Sequence, residues 1–195
     1  WEVYENSENP GYGFKSINIG KTQISGLEFS LSGQGKLNED LSINILGGYT
    51  YMNPIPLDTT EVYAEVLGNI VTYSNSSSDP SILKYRYNHI AKLDMELIYK
   101  KLSLGSSFRY NDFMKNIDKI FASEFFAEEI VGGIPEAREK FKNGDFIVDV
   151  RTSYQLNDVT KISLVINNLL NREYMSRPAN MMPPRTIALQ CNMKI

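Results

Sequence analysis

Glu28, Lys92, Asp94, Glu96, Arg109, Asp149, Arg151 and Lys194 recur at alternate positions within stretches that are otherwise apolar. Asp94 and Glu96 have the spacing of a paired-carboxylate acid–base site, because residues i and i+2 of a strand share a face. No nucleophile or oxyanion-donor motif accompanies them, and acids one residue apart on a charged face are ordinarily solvated groups. No catalytic residues are therefore expected. The mixed signs on neighbouring stretches predict cross-strand ion pairs instead. The chain has one histidine and one cysteine, which rules out an internal disulfide and cysteine-cluster metal sites and speaks against a histidine-based triad or metal centre. No metal and no cofactor is expected. His89 reads as structural or surface, and Cys191 as a small apolar residue. Asn75-Ser76-Ser77 matches a glycosylation acceptor but reads as plain loop. A net charge of −3 gives no basic field for nucleic acid.

Positioning these side chains requires strands with one polar and one apolar face. The stretch 185–195 shows the pattern best. Ile187, Leu189, Cys191, Met193 and Ile195 alternate with Thr186, Ala188, Gln190, Asn192 and Lys194. Period two over that length predicts a strand of about the 9–11 residues that cross a bilayer when tilted. Soluble strands are usually nearer ~5–6. The same alternation marks 14–37, 41–52, 87–100, 102–110, 145–155 and 161–167, and no run has the length of a transmembrane helix. A short aromatic-aliphatic tail at 1–4 and a turn at 6–13 precede them. Pro135 and Gly144 frame a predicted helix at 136–142. Further short helices are expected near 60–67 and 121–130.

The connections alternate in length. Those at 38–40, 100–102 and 157–160 are tight; those at 53–84, 111–144 and 168–184 are long. In an up-and-down antiparallel sheet this places every tight turn on one rim and every long loop on the other, the asymmetry of outer-membrane barrels. Tyr49, Tyr51, Tyr87, Phe108 and Tyr110 are expected in an aromatic girdle at the long-loop rim, with Tyr99 and Tyr154 at the tight-turn rim. Recognition of a small ligand is expected on the long loops, where the candidates are Tyr63, Tyr73, Phe121, Phe125, Phe126 and Arg138. Two other arrangements share the alternation: a soluble all-β ligand- or carbohydrate-binding module whose apolar face packs on a core, and a passive porin-like barrel.

The segments Ile166-Asn167-Asn168-Leu169-Leu170-Asn171-Arg172-Glu173-Tyr174, Arg177-Pro178 and Pro183-Pro184-Arg185-Thr186 resemble the C-terminal end of TonB-dependent outer-membrane receptors. Asn18-Ile19-Gly20-Lys21 with Gly26-Leu27-Glu28, and then Gly48-Tyr49-Thr50-Tyr51, resemble earlier strands of that barrel in the right order. The family usually ends on an aromatic residue, where this chain has Ile195. The resemblance implies a segment of a 22-stranded transmembrane barrel. About seven strands fall short of the ~8 needed for closure, so residues 1–195 are expected to be a C-terminal fragment of the barrel domain, with the plug domain and the earlier strands outside it. The resemblance further implies the outer membrane of a Gram-negative bacterium and TonB-energised uptake of siderophore-iron, haem, cobalamin or a glycan. The partners it implies are outer-membrane lipid, the receptor's own plug domain, and TonB through an N-terminal region. The eight ionisable residues would then line the lumen. Cut out of its barrel, such a sheet is expected to self-associate through its open edges.

Overall fold

The computed structural model describes residues 18, 20–66, 68–122, 133–178 and 180–194. The expected tail at 1–4, the turn at 6–13, the beginning of the first strand, Phe125, Phe126 and Ile195 lie outside these residues. In chain order the strands are β1 (Thr22–Lys36), β2 (Leu41–Pro56), β3 (Val62–Val66), β4 (Asn69–Thr72), β5 (His89–Tyr99), β6 (Leu102–Asn111), β7 (Asp145–Gln155), β8 (Thr160–Asn167), β9 (Met175–Arg177), β10 (Asn180–Met181) and β11 (Thr186–Met193). The helices are α1 (Tyr73–Ser76), α2 (Lys119–Ala122) and α3 (Ile134–Lys140).

Seven strands form one sheet in the order β1-β2-β5-β6-β7-β8-β11. Each strand therefore lies beside the next long strand in the sequence, as in an up-and-down meander. Two of the tight turns are closed by asparagine. Asn38 Oδ1 accepts from the backbone N–H of Asp40 and Leu41 (3.0 and 2.8 Å). Asn157 Oδ1 does the same for Val159 and Thr160 (3.1 and 2.8 Å). These are local side-chain turns of the kind asparagine favours. The turn at 100–101 puts Lys100 at φ 53°, and its ammonium lies 3.2 Å from Asp40 of the neighbouring turn.

Register makes the apolar phase continuous across the sheet. Ile45 stands opposite Met95, and Leu97 opposite Leu104. Leu93 stands opposite Phe108, which stands opposite Val148. Leu104 pairs with Thr152, Thr152 with Leu164, and Leu164 with Leu189. A Cβ on Gly47 would meet Leu93 Cδ1 at 3.3 Å and Leu31 Cβ at 3.8 Å, so Leu31 and its phase partners Leu27 and Phe29 join the same face. No second layer covers that face among the described residues. Phe29, Leu104 and Leu189 are 63%, 52% and 77% exposed. Burying each such side chain is worth about 1.5–3 kcal/mol, so the face needs an apolar surrounding that the described residues do not supply. The alternative of a soluble module whose apolar face packs on a core finds no covering layer among the described residues.

The buried apolar cluster belongs to a separate unit that includes residues 52–88 and 114–142. Its centre is Met114, Ile117 and Ile134, with Tyr85, Tyr87, Phe121 and Ala122 packed around them. Tyr87, expected in a girdle, belongs to this cluster. The two long loops are stitched by a bridge between Ser77 and Asp118 and by Tyr85 N–H donating to Asn116 O (2.9 Å). Within the unit β3 and β4 form a hairpin. The helix expected at 60–67 is therefore a strand: Val62, Tyr63 and Val66 prefer extended backbone, and pairing with β4 outweighs the helix propensity of Ala64 and Glu65.

Other boundaries differ by smaller amounts. β2 runs on to Pro56; its pairing with β5 ends at Tyr51–His89, so Pro54 and Pro56 remove no hydrogen bond from that ladder. α3 begins at Ile134, with Pro135 in its first turn, and it ends two residues earlier than expected. Gly144 serves the entry to β7 instead of capping α3. Its φ is 82°, and a Cβ there would lie 2.5 Å from Asn111 O. The third long connection holds the small β9–β10 hairpin, which the sequence pattern did not indicate.

Candidate functional site

The face opposite the apolar one carries the ionisable residues. Lys92, Asp94 and Glu96 of β5 stand opposite Arg109, Ser107 and Gly105 of β6. Gly105, Ser107 and Arg109 in turn stand opposite Arg151, Asp149 and Ile147 of β7. The face is not uniformly polar: Leu46 sits opposite Asp94, and Ile147 is buried. Toward the tight-turn end it becomes a row of mutually opposed, buried serines: Ser103, Ser153 and Ser163.

Two ion pairs organise this face. Arg151 reaches from β7 across β6 to Asp94 on β5. Its Nη2 donates to Oδ1 at 2.8 Å and its Nη1 to Oδ2 at 3.0 Å, a two-pronged contact. Ser107, between them, donates its hydroxyl to Asp94 Oδ2. The crossing is possible because residue 105 is glycine. A Cβ there would lie 2.6–2.8 Å from Arg151 Nε, Cζ and Cγ, so the arginine stem lies on bare backbone. The second pair is Arg109 Nη2 to Asp149 Oδ2 at 2.9 Å. Glu96 takes a long contact from Asn44 Nδ2, at 3.4 Å. Glu28 is exposed on β1, and Lys194 lies just past β11, where its backbone N–H donates to Val159 O at 2.8 Å.

Asp149 also ties this face to the connection 168–185. Its Oδ1 accepts the backbone N–H of Asn168 at 2.7 Å. Asn168 is buried at φ 50°, and its amide donates to Arg172 O (2.8 Å) and Pro183 O (3.3 Å) and accepts Arg172 N–H (2.8 Å). Arg172 Nη2 reaches Gly144 O at 3.1 Å, and its Nε lies 3.6 Å from Asp145. At the apolar side of the same strand ends, Tyr49 and His89 Nδ1 share a hydrogen bond of 2.8 Å, and the Tyr51 ring lies 5.2 Å from the imidazole. His89 is thus part of the aromatic rim.

The loop residues proposed for ligand contact meet different fates. Tyr73 is fully buried. Its hydroxyl donates to Ile82 O (2.7 Å) and accepts from Lys84 N–H (2.8 Å) and Asn116 Nδ2 (3.1 Å), leaving no surface for a ligand. Arg138 holds the backbone carbonyls of Met114 and Lys115 at 2.9 and 3.2 Å, and burial lowers its pKa. Phe121 packs on the Met114 cluster. Tyr63 is half-buried, and burial, with Tyr73 nearby, pushes its phenol up to about 12. Sequence reasoning missed the buried Lys84–Asp118 pair and Tyr85, whose hydroxyl donates to the same carboxylate. Burial and that contact push the Tyr85 pKa upward. Among the described residues no group of three His, Cys, Asp or Glu side chains could hold a metal.

Residues 2–169 match the family described as "TonB dependent receptor-like, beta-barrel". The chain belongs to this family. The TonB-dependent receptor barrel is an outer-membrane structure of Gram-negative bacteria, and the family is one of receptors and transporters, not of enzymes. Solved structures show the same fold. The ferric-catecholate import receptor Fiu of E. coli K12, in its closed form, superposes with a TM-score of 0.60 at 22% identity over 98% of this chain. The siderophore receptor PiuA of Acinetobacter baumannii gives 0.58 at 19% identity over 88%. The chain spans 23% and 22% of those two chains, so its seven-stranded sheet is a segment of such a barrel. No curated protein matches it.

Proposed function

We propose that residues 1–195 are a C-terminal segment of the barrel domain of an outer-membrane receptor that takes up siderophore-bound iron by TonB-energised transport. The observation that carries this reading is the two-sided sheet. One face is apolar, continuous and uncovered; the other holds ion pairs; and the connections alternate short and long in the manner of a TonB-dependent receptor barrel. In this reading the apolar face meets outer-membrane lipid, with Tyr49, Tyr51, His89, Phe108, Tyr110 and Phe146 at the outer interface and Tyr99 and Tyr154 at the inner one. β5 and β7 have 11 residues each. At ~3.3 Å per residue and a tilt of ~40° they rise about 28 Å, enough for the ~25 Å apolar band.

The polar face then lines the lumen and meets a plug domain encoded outside this chain. Glu28, Lys92, Asp94, Glu96, Arg109, Asp149 and Arg151 stand on it, with Lys194 at its end. The long loops hold the ligand at the cell surface, TonB draws on the plug, and the Arg151–Asp94 and Arg109–Asp149 pairs brace the barrel wall across its strands. Siderophore-iron is preferred over haem, cobalamin or a glycan because the two similar structures are a ferric-catecholate import receptor and a siderophore receptor.

Deletion of the gene from its host, followed by growth under iron limitation on single ferric siderophores, tests this. Loss of growth on one siderophore, restored by the wild-type gene, is expected. Unchanged growth on every siderophore, with loss of growth on another nutrient, would remove siderophore-iron from the reading.

A further inference from the structure

Two cations stand directly opposite one another on the polar face. Lys92 of β5 pairs in register with Arg109 of β6. Like charges in directly opposed positions repel. The neighbouring rung shows how this sheet otherwise satisfies a cation: Arg151 gives both terminal nitrogens to both oxygens of Asp94. Arg109 has one contact of that kind, through Nη2 to Asp149 Oδ2 at 2.9 Å. The second oxygen of Asp149 accepts the Asn168 N–H at 2.7 Å, and no second contact from Arg109 reaches it among the described residues. Lys92 is exposed and makes no ion pair among the described residues. The nearest acid on its own strand face, Asp94, is occupied by Arg151 and Ser107. On its other side Lys92 faces Gly48, where an added Cβ would meet only Phe29 O, at 3.8 Å. The result is an open floor beside two cations with unused donors.

We propose that Lys92 and Arg109, over the bare backbone of Gly48, form a binding site for an oxyanion, a carboxylate or a phosphate, presented from the space this face lines. The ammonium and the free edge of the guanidinium supply charge-assisted donors from two adjacent strands, the geometry that suits a group with two or three acceptor oxygens. The oxyanion comes either from a free solute or from a carboxylate elsewhere in the same receptor. This inference rests on the reading of the face as lumenal, but the test below reads the site itself, so its failure leaves the uptake proposal standing.

The experiment uses the full-length receptor in a detergent without phosphate headgroups. Inorganic phosphate is titrated and followed by phosphorus NMR line broadening. In parallel, carbodiimide coupling of ammonium to adjacent carboxylate is mapped by mass spectrometry. Phosphate binding that weakens by about tenfold or more in Lys92→Met, recovers in Lys92→Arg and survives Lys161→Met supports the site with a free oxyanion as its occupant. Absence of phosphate binding, together with a coupled product joining Lys92 to a carboxylate of the receptor, supports it with a protein carboxylate as occupant. Phosphate binding indifferent to Lys92→Met, or neither binding nor coupling at Lys92, overturns the proposal.

Discussion

Gly105→Ala is a small change with a specific route to damage. The new methyl would sit 2.6–2.8 Å from three atoms of Arg151, including Cγ near the base of its stem. Arg151 must lift away and give up its two contacts with Asp94, at 2.8 and 3.0 Å. The partners are 35% and 42% exposed, so the pair is discounted toward the surface range. Two-pronged geometry keeps it at the upper end, about 1–2 kcal/mol. Against this, alanine recovers roughly 0.5–1 kcal/mol over glycine in a strand interior. The single variant should therefore look only mildly destabilised, which makes it uninformative alone. The informative quantity is the double-mutant cycle. With Arg151→Ala already in place those three contacts are gone, and Gly105→Ala should stabilise by roughly 0.5–1 kcal/mol. A coupling of about 1–2 kcal/mol is expected from urea unfolding of the full-length receptor in lipid vesicles, with all four proteins followed by intrinsic fluorescence. If Gly105→Ala costs the same with and without Arg151, to within about 0.5 kcal/mol, the steric argument is wrong.

Four further outcomes are expected. Leu93→Arg should cost ~2–4 kcal/mol of barrel stability in bilayers and Lys92→Ala far less, because adjacent residues of β5 face lipid and lumen; equal costs would contradict the two faces. Tyr63 and Tyr85 hold their protons more tightly folded than unfolded, so the loop unit should lose stability as pH rises from about 10 toward their raised folded-state values. The phenolate absorbance lost in Tyr63→Phe should appear near pH 12, and its appearance at the ordinary tyrosine value would refute the burial argument. Asn168→Gly keeps the positive φ but deletes the amide and its hydrogen bonds, whereas Asn168→Ala also strains the backbone; limited proteolysis within 168–185 should rise in the order wild type, Gly, Ala, and equal sensitivity of the Gly and Ala variants would place the amide, not the backbone, in control. Residues 1–195 expressed alone should self-associate without detergent, since β1 and β11 leave open edges and the apolar face lacks cover; a monodisperse monomer by light scattering would count against the barrel segment.

Much of the sheet was legible because alternation and turn chemistry are local. Asn38 and Asn157 close their turns with atoms two and three residues away, and the phase of 145–155 is visible without any neighbour. Register is not local. The sequence placed Lys92 and Arg109 on one face but could not say that they stand opposite one another, nor that Arg151 would cross an intervening strand over Gly105 to reach Asp94. The loop unit was least legible for the same reason. Its core joins residues from two loops separated by an entire hairpin, so the sequence offered Tyr87 as a girdle residue and Tyr73 and Arg138 as recognition candidates, whereas Tyr87 packs on the Met114, Ile117 and Ile134 cluster, Tyr73 is held by Ile82, Lys84 and Asn116, and Arg138 holds the carbonyls of Met114 and Lys115. Val62–Val66 lay at the margin: five residues with both valine and alanine–glutamate content, decided by the partner strand.

The stretch 166–174 shows how a sequence signature can have a structural cause. Asn168 and Asn171 both sit at φ 50°, a conformation in which asparagine is several-fold favoured over other non-glycine residues. Glycine would satisfy the backbone equally well but could not supply the amides. The Asn168 amide binds both ends of the connection, at Arg172 and Pro183, while Asn171 Oδ1 accepts the Arg185 N–H at 2.9 Å just before β11 begins. Arg185 returns to Leu169 O at 3.3 Å. The connection is thus closed on itself by side chains at its two ends, and Asp149 anchors it to the polar face through Asn168. Such closure lets β11 enter the sheet at a set register against β8, where Thr186 meets Asn167 both in the ladder and through a 3.1 Å side-chain contact. A slip of one residue there would turn Ile187, Leu189 and Met193 to the polar face, so these asparagines guard the two-sidedness of the last strand on which the transmembrane reading depends.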